Sequence, residues 1–293
     1  MGRVDAINRS IQRTGDQPGL PFANVGIGLR PRHYRDLLES RQPVGFLEAH
    51  AENFLVERDL HSHALESLRK HYPLSLHCIG LSLGSATGVS REHLCRLGRL
   101  VDRVDPFLVS DHLSWSAVGG LVVNELLPLP FTRAALAIVA SNVARTQDFL
   151  RRPILIENIA AYFRFRGSDM HEAEFLNSLA ANTGCKILLD LTNLHVNQCN
   201  HGEDGIDTML RIEARHIGQF HLAGHLVTPS AVIDNHGAVV SDESWELYVR
   251  ALIHAGLLPT VVEWDQDVPH LDVLVDQARI ASALCHKAGV AAP

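Results

Sequence analysis

The sequence lacks any CxxC pair among its five cysteines, Cys78, Cys95, Cys185, Cys199 and Cys285, and an odd count argues against a disulfide framework. All five read as small buried hydrophobes. No apolar run approaches the roughly 20 residues that a membrane span needs. The opening MGRVDAINRSIQRTGDQPG has no apolar stretch of the secretory-signal kind. A cytoplasmic protein without membrane contact is expected. Positive charge is also short: 26 basic against 33 acidic side chains give a formal −7, which offers no general phosphate-binding surface and disfavours a nucleic-acid partner. Aromatic residues are only 6%, few for stacking against sugars. A glycine-rich phosphate turn is missing too, because GIGLRPRHY after the first apolar run is not the dinucleotide-binding fingerprint of an open sheet.

What is present is a 46% hydrophobic, 20% charged chain of 293 residues, suited to one α/β enzyme domain with a large aliphatic core. Residues 1–24, polar with Pro and Gly, read as an N-terminal arm, and 25–293 as the folded body. Eight apolar runs read as strands: VGIGL (25–29), VGFLEAH (44–50), LSLHCI in the 75–80 region, PFLVSDHLSW (106–115), PILIENI (153–159), CKILLDLTN (185–193), IGQFHLAGH (217–225) and PTVVEWD (259–265). Between them REHLCRLGRLVDRV, TRAALAIVASNVARTQDFL, ESWELYVRALIHAG and HLDVLVDQARIASALC repeat apolar residues at three and four, the period of a helix burying one face. Eight alternations of strand and helix predict a single (β/α)8 TIM barrel. A hairpin insertion is expected over 116–128, from SAVGGLVVNELLPL.

Eighteen histidines stand out. His61, His63, His71 and His93 fall in polar helical stretches and are expected to face solvent. The others matter more, because nearly every strand ends in His, Asp, Glu or Asn, at the barrel face where such enzymes hold their chemistry. These are Glu48, His50 and Asn53; His77; Asp111 and His112; Glu157 and Asn158; Asp190 and Asn193; His221; Glu263 and Asp265. A lone strand-end histidine is ordinarily a hydrogen-bonded core residue, and a lone carboxylate caps a helix. Carboxylates and imidazoles converging from six strands instead need cations to offset their desolvation. A set of N and O donors without thiolate suits Fe, Mn or Zn. Its size exceeds one ion's needs, so a carboxylate such as Glu157 is expected to bridge two. In VIDNHG, Asp234 and His236 stand two apart, a spacing that in an extended segment aims both to one side and serves a further ion. His50, His195 and His225 read as structural, with His50 or Glu48 able to orient a ligand.

Taken together, LEAHAEN, LSLHCIGLSLGS, VSDHLSW, ILIENI, LLDLTN, FHLAGH, IDNHG and VEWD resemble the multinuclear non-heme iron-dependent oxidative enzymes, the family that includes the methanobactin-biosynthesis oxidase. The resemblance spans roughly residues 24–268. It implies a xylose isomerase-like barrel, similar also to the trinuclear zinc endonuclease that cuts at abasic sites. It implies one iron on His77, His112 and Glu157, a second on Glu157, Asp190, His221 and Glu263, and a third on Asn193, Asp234 and His236. The zinc nucleases carry histidine where this chain has Asn193, which favours iron. The implied activity is an oxidoreductase with two or three Fe ions, mixed Fe(II)/Fe(III), and O2 as co-substrate. Its substrate is a ribosomally synthesised precursor peptide, oxidised at cysteine to an oxazolone-thioamide, a thiooxazole or a related product. A small leader-binding partner protein is implied as well, with the N-terminal arm and the hairpin as docking elements. Asp265, just past Glu263, is the expected proton acceptor, and Asp111 shares the catalytic expectation; either alternatively orients a ligand histidine. The competing readings are a zinc or manganese phosphodiesterase or abasic-site endonuclease, and a sugar isomerase or epimerase.

Overall fold

The computed structural model describes residues 24–291, so the arm expected over 1–24 lies outside the described residues except for Asn24. Strands run in chain order as β1 (Val25–Gly28), β2 (Phe46–His50), β3 (Leu74–His77), β4 (Leu108–His112), β5 (Trp115–Val118), β6 (Leu121–Leu127), β7 (Leu155–Glu157), β8 (Lys186–Asp190), β9 (Ile217–Leu222), β10 (Leu226–Val227), β11 (Val232–Ile233) and β12 (Thr260–Val262). Eight of them close a parallel barrel in the order β1, β2, β3, β4, β7, β8, β9, β12. A parallel strand is covered on both faces, which is why FLEAH, LSLH and LVSDH are almost wholly buried with little apolar–polar alternation. The helices bury the stripes that their spacing announced: in Arg91–Val104 the buried residues are Leu94, Leu97, Leu100, Val101 and Val104. Among the described residues no helix is long and apolar enough to cross a membrane.

Three local features bear on the site. β8 stops at Asp190, three residues short of the strand read through Asn193. There the Asp190 carboxylate accepts the Asn193 backbone N–H at 2.6 Å and caps the helix Leu191–His201, so strand passes to helix without a loop. The expected hairpin is β5 and β6, antiparallel above the end of β4. The third, a second departure from expectation, is the Asp234–His236 segment, read as extended. β11 ends at Ile233, and His236 has a left-handed φ of 48°, so a turn rather than a pleat brings the two side chains together. This excursion is anchored by Asn200, whose side chain donates to the Val232 carbonyl at 2.8 Å and accepts its N–H at 2.9 Å. Its neck is narrow: a β-carbon at Gly224 would collide with the backbone of Ala238, so glycine permits the two ends to meet.

Candidate metal centre

Parallel register sets strand ends side by side. His50 lies opposite His77, His112 opposite Glu157 and Asp190 opposite His221. Because successive side chains on a strand point to opposite faces, His112 in the barrel forces Asp111 outward. Asp111 is fully buried there, accepting the Leu81 N–H at 3.0 Å and the His112 N–H at 2.6 Å. The expected catalytic part for Asp111 is corrected accordingly: it cannot meet substrate, and it fastens the loop after β3.

Inside the mouth, the Nε2 atoms of His77 and His112 lie 3.1 Å apart, and Glu157 Oε2 is 3.2 and 3.3 Å from them. Three donors at about 3.4 Å spacing is what tetrahedral bonds of 2.0–2.2 Å to one ion require. His77 turns its other nitrogen to Ser110 Oγ at 2.7 Å. Burial, with His112 and His221 nearby, holds its pKa well below the ordinary value, and burial lowers His112 to about 4; both imidazoles stay neutral with a lone pair to offer.

Glu157 reaches a second cluster through Oε1, 3.8 Å from His221 Nδ1. His221 Nδ1 is also 3.0 Å from Glu263 Oε2, while its Nε2 is 2.8 Å from Glu48 Oε1. Ligand atoms of Glu157, Asp190 and His221 gather within 4.8 Å of one another, as do those of Asp190, His236 and Glu263. His236 Nε2 sits 2.7 Å from Asp234 Oδ1 and its Nδ1 3.0 Å from Asp265 Oδ2. Burial opposes charge on His221 and His236. The carboxylates Glu263 and Glu48 around His221, and Asp234 and Asp265 around His236, outweigh it and raise both pKa values. Burial also lifts the carboxyls, Glu157 well up and Asp190 to about 7.

Glu157 Oε2, Asp190 Oδ2, Asn193 Oδ1, His221 Nδ1, Asp234 Oδ1 and His236 Nε2 are all buried without a hydrogen-bond partner. So many stranded donors and acceptors in one pocket are costly unless cations take up their lone pairs, so the residues fit a cluster of ions. Asn193 directs its amide nitrogen to the Asn158 carbonyl at 3.1 Å, leaving the oxygen to the pocket.

Arg30, two residues beyond β1, belongs to no motif in the sequence, yet it reaches the site. The residue is 7% exposed; Nε donates to Asp265 Oδ1 at 2.9 Å, Nη1 to the Leu29 carbonyl at 3.0 Å, and Nη2 contacts Asp265 and, at 3.2 Å, His50 Nε2. Asp265 is thus pinned between Arg30 and His236. Burial would raise its carboxyl, but those two partners draw it far below the usual range. His93, expected to face solvent, instead pairs with Glu52 at 3.2 Å. Around the rim stand exposed apolar residues on segments that follow strand ends: Val118, Leu121 and Val122 of the hairpin, and Tyr162, Phe163 and Phe165 after β7.

The model of the RiPP precursor modification enzymes MbnB/TglH/ChrH matches residues 24–286. A UPF0276 protein of Caulobacter vibrioides (strain NA1000 / CB15N) is 42% identical over 264 residues, 90% of this chain and 94% of its own. One from Vibrio vulnificus (strain YJ016) is 43% identical over 265 residues, 89% and 91% of the two chains. In three dimensions the chain is similar to a D-psicose 3-epimerase from Clostridium cellulolyticum (TM-score 0.59, 10% identity, 91% of this chain and 98% of that one). It is also similar to endonuclease IV from Thermus thermophilus (TM-score 0.57, 15% identity, 90% and 99%). A xylose isomerase-like TIM barrel protein from Mycobacterium smegmatis matches at a TM-score of 0.56 with 12% identity, covering 88% and 87%. These distant likenesses speak to fold alone and make the barrel a xylose isomerase-like one. The sequence match, running from β1 into the last helix, goes further: this chain belongs to the MbnB/TglH/ChrH family of RiPP precursor modification enzymes.

Proposed function

We propose that the protein is an O2-dependent iron enzyme that oxidises a cysteine of a ribosomally synthesised precursor peptide. The observation that carries this is the meeting of His77, His112, Glu157, Asp190, His221 and Glu263 in one buried pocket, where Glu157 Oε2, Asp190 Oδ2 and His221 Nδ1 lack hydrogen-bond partners. His77, His112 and Glu157 would hold one ion; Glu157, Asp190, His221 and Glu263 a second; Asp234, His236 and Asn193 a third. Bound iron in mixed Fe(II)/Fe(III) form would supply one-electron chemistry with O2 and a site for the substrate thiolate.

The protein's own side chains do the rest. Ser110 and Glu48 hold the outward nitrogens of His77 and His221. Asp265, itself held by Arg30, does the same for His236. Its side chain is 33% exposed and borders the mouth, and because those partners keep its carboxylate a weak base, it accepts a proton from substrate only when one of them releases it. The two parts separate in Asp265→Asn: retained metal with lost turnover marks the proton acceptor, whereas lost metal marks the orienting role. The apolar rim of Val118, Leu121, Val122, Tyr162, Phe163 and Phe165 supplies grip for a peptide, with a leader-binding partner protein completing the complex.

The test loads the purified protein anaerobically with Fe(II), then adds O2 and the Cys-containing precursor peptide encoded beside the gene. A mass change confined to the cysteine is expected. Unchanged peptide at full iron occupancy overturns the proposal, and cleavage of abasic DNA by zinc-loaded protein would establish the hydrolase in its place.

A further inference from the structure

We infer that Glu48 is a positioning residue that fixes His221 as an Nδ1 ligand, and is not a ligand itself; this rests on the metal centre proposed above. Glu48 is 1% exposed and lies one layer below the mouth. It precedes His50 by two residues on β2, as Ser75 precedes His77 on β3 and Gln219 precedes His221 on β9. These three polar residues form a floor of their own: Ser75 Oγ and Gln219 Nε2 each donate to Glu48 Oε2 at 2.7 Å. Two donors on one oxygen set the carboxylate plane and leave Oε1 aimed at His221 Nε2, 2.8 Å away.

A carboxylate can only accept, so the 2.8 Å approach assigns the proton to Nε2 of His221. Glu48 Oε1 has no other partner, and Glu48 also groups with His221 and Glu263 as a candidate ligand set, the alternative that anomalous scattering separates. In neutral imidazole that assignment strips the proton from Nδ1. Nδ1 is the nitrogen turned to the centre, 3.0 Å from Glu263 Oε2 and 3.8 Å from Glu157 Oε1. It is buried and makes no hydrogen bond of its own. Histidine can present either nitrogen to a metal, and here the choice is made from below, by a residue on a different strand. Losing such an outer partner costs about 10–100-fold in metal affinity.

Glu48→Met keeps length and removes the acceptor. Glu48→Gln is the conservative rescue, since its carbonyl can still accept from Nε2 while its amide turns to Gln219 Oε1, which is buried and unpartnered. Chelator competition and metal-to-protein ratios are measured on the full chain loaded with Fe(II) or Zn(II). Glu48→Met should hold one ion about 10–100-fold more weakly, the ion on His77, His112 and Glu157 should be unaffected, and Glu48→Gln should recover most of the loss. In the diamagnetic zinc-loaded wild type, 15N NMR of the imidazoles should show His221 protonated at Nε2 and metal-bound at Nδ1. A proton on Nδ1, or an anomalous-scattering peak between Glu48 and His221 Nε2, overturns the inference. So does Glu48→Met filling all sites with wild-type affinity, an outcome that leaves the metal centre standing. Wild type that takes up no ion at all fails the centre and this inference together.

Discussion

Glu157 touches two donor clusters through different oxygens, Oε2 facing His77 and His112 and Oε1 facing His221. Removing its charge should therefore cost more ions than removing a terminal ligand. Glu157→Gln is expected to lose two ions by elemental analysis, His112→Ala only one. Equal losses would mean that Glu157 does not bridge. A second residue acts away from the mouth. Burial lifts the Glu172 carboxyl to about 7, with Arg164 opposing and Glu203 adding, against 4.5 in the unfolded chain. The folded state binds that proton more tightly, so the group's stabilisation is complete below about pH 4.5 and is lost as pH rises toward about 7. Glu172→Gln cannot ionise. Its Tm should gain on wild type between about pH 5 and pH 7 and hold that gain above; a pH-independent difference would contradict the assignment.

At the scale of elements, Asp190 serves two structures at once. It ends β8 in the pocket and caps the helix Leu191–His201. Asparagine is as good a cap as aspartate but carries no charge to hold a cation. Asp190→Asn should leave metal-free stability within about 1 kcal/mol of wild type while metal content falls; a large drop in metal-free Tm would show that the carboxylate is needed for folding itself. The Gly224 neck and the Asn200 anchors give the Asp234–His236 excursion a comparable economy, since a few backbone contacts deliver two donors to a centre otherwise built on the barrel.

For the molecule as a whole, ions shared by side chains from several strands bind only the closed barrel. Ligand at 100 times its Kd adds about 2.7 kcal/mol to stability, so metal-loaded protein should melt several degrees above protein treated with a chelator, and re-addition should restore the difference. No shift would mean that the donors never share an ion. Much of this architecture was legible beforehand because it is local. Apolar stripes at three and four mark helices such as Arg91–Val104, and apolar runs tipped with His, Asp or Glu mark barrel strands wherever they stand in the chain. The alternation of elements and the polar character of the strand ends are written in the chain, since both follow from periodicity within a few residues. Folding in three dimensions was needed to show that Asp111 faces away while His112 faces in, that a left-handed turn joins His236 to Asp234, and that Arg30 clamps Asp265 across 235 positions. The same holds for Glu48, which sits under His221 bound to Gln219 from 171 positions away, because which donor meets which acceptor is settled by closure of the barrel and carries no periodic trace in the chain.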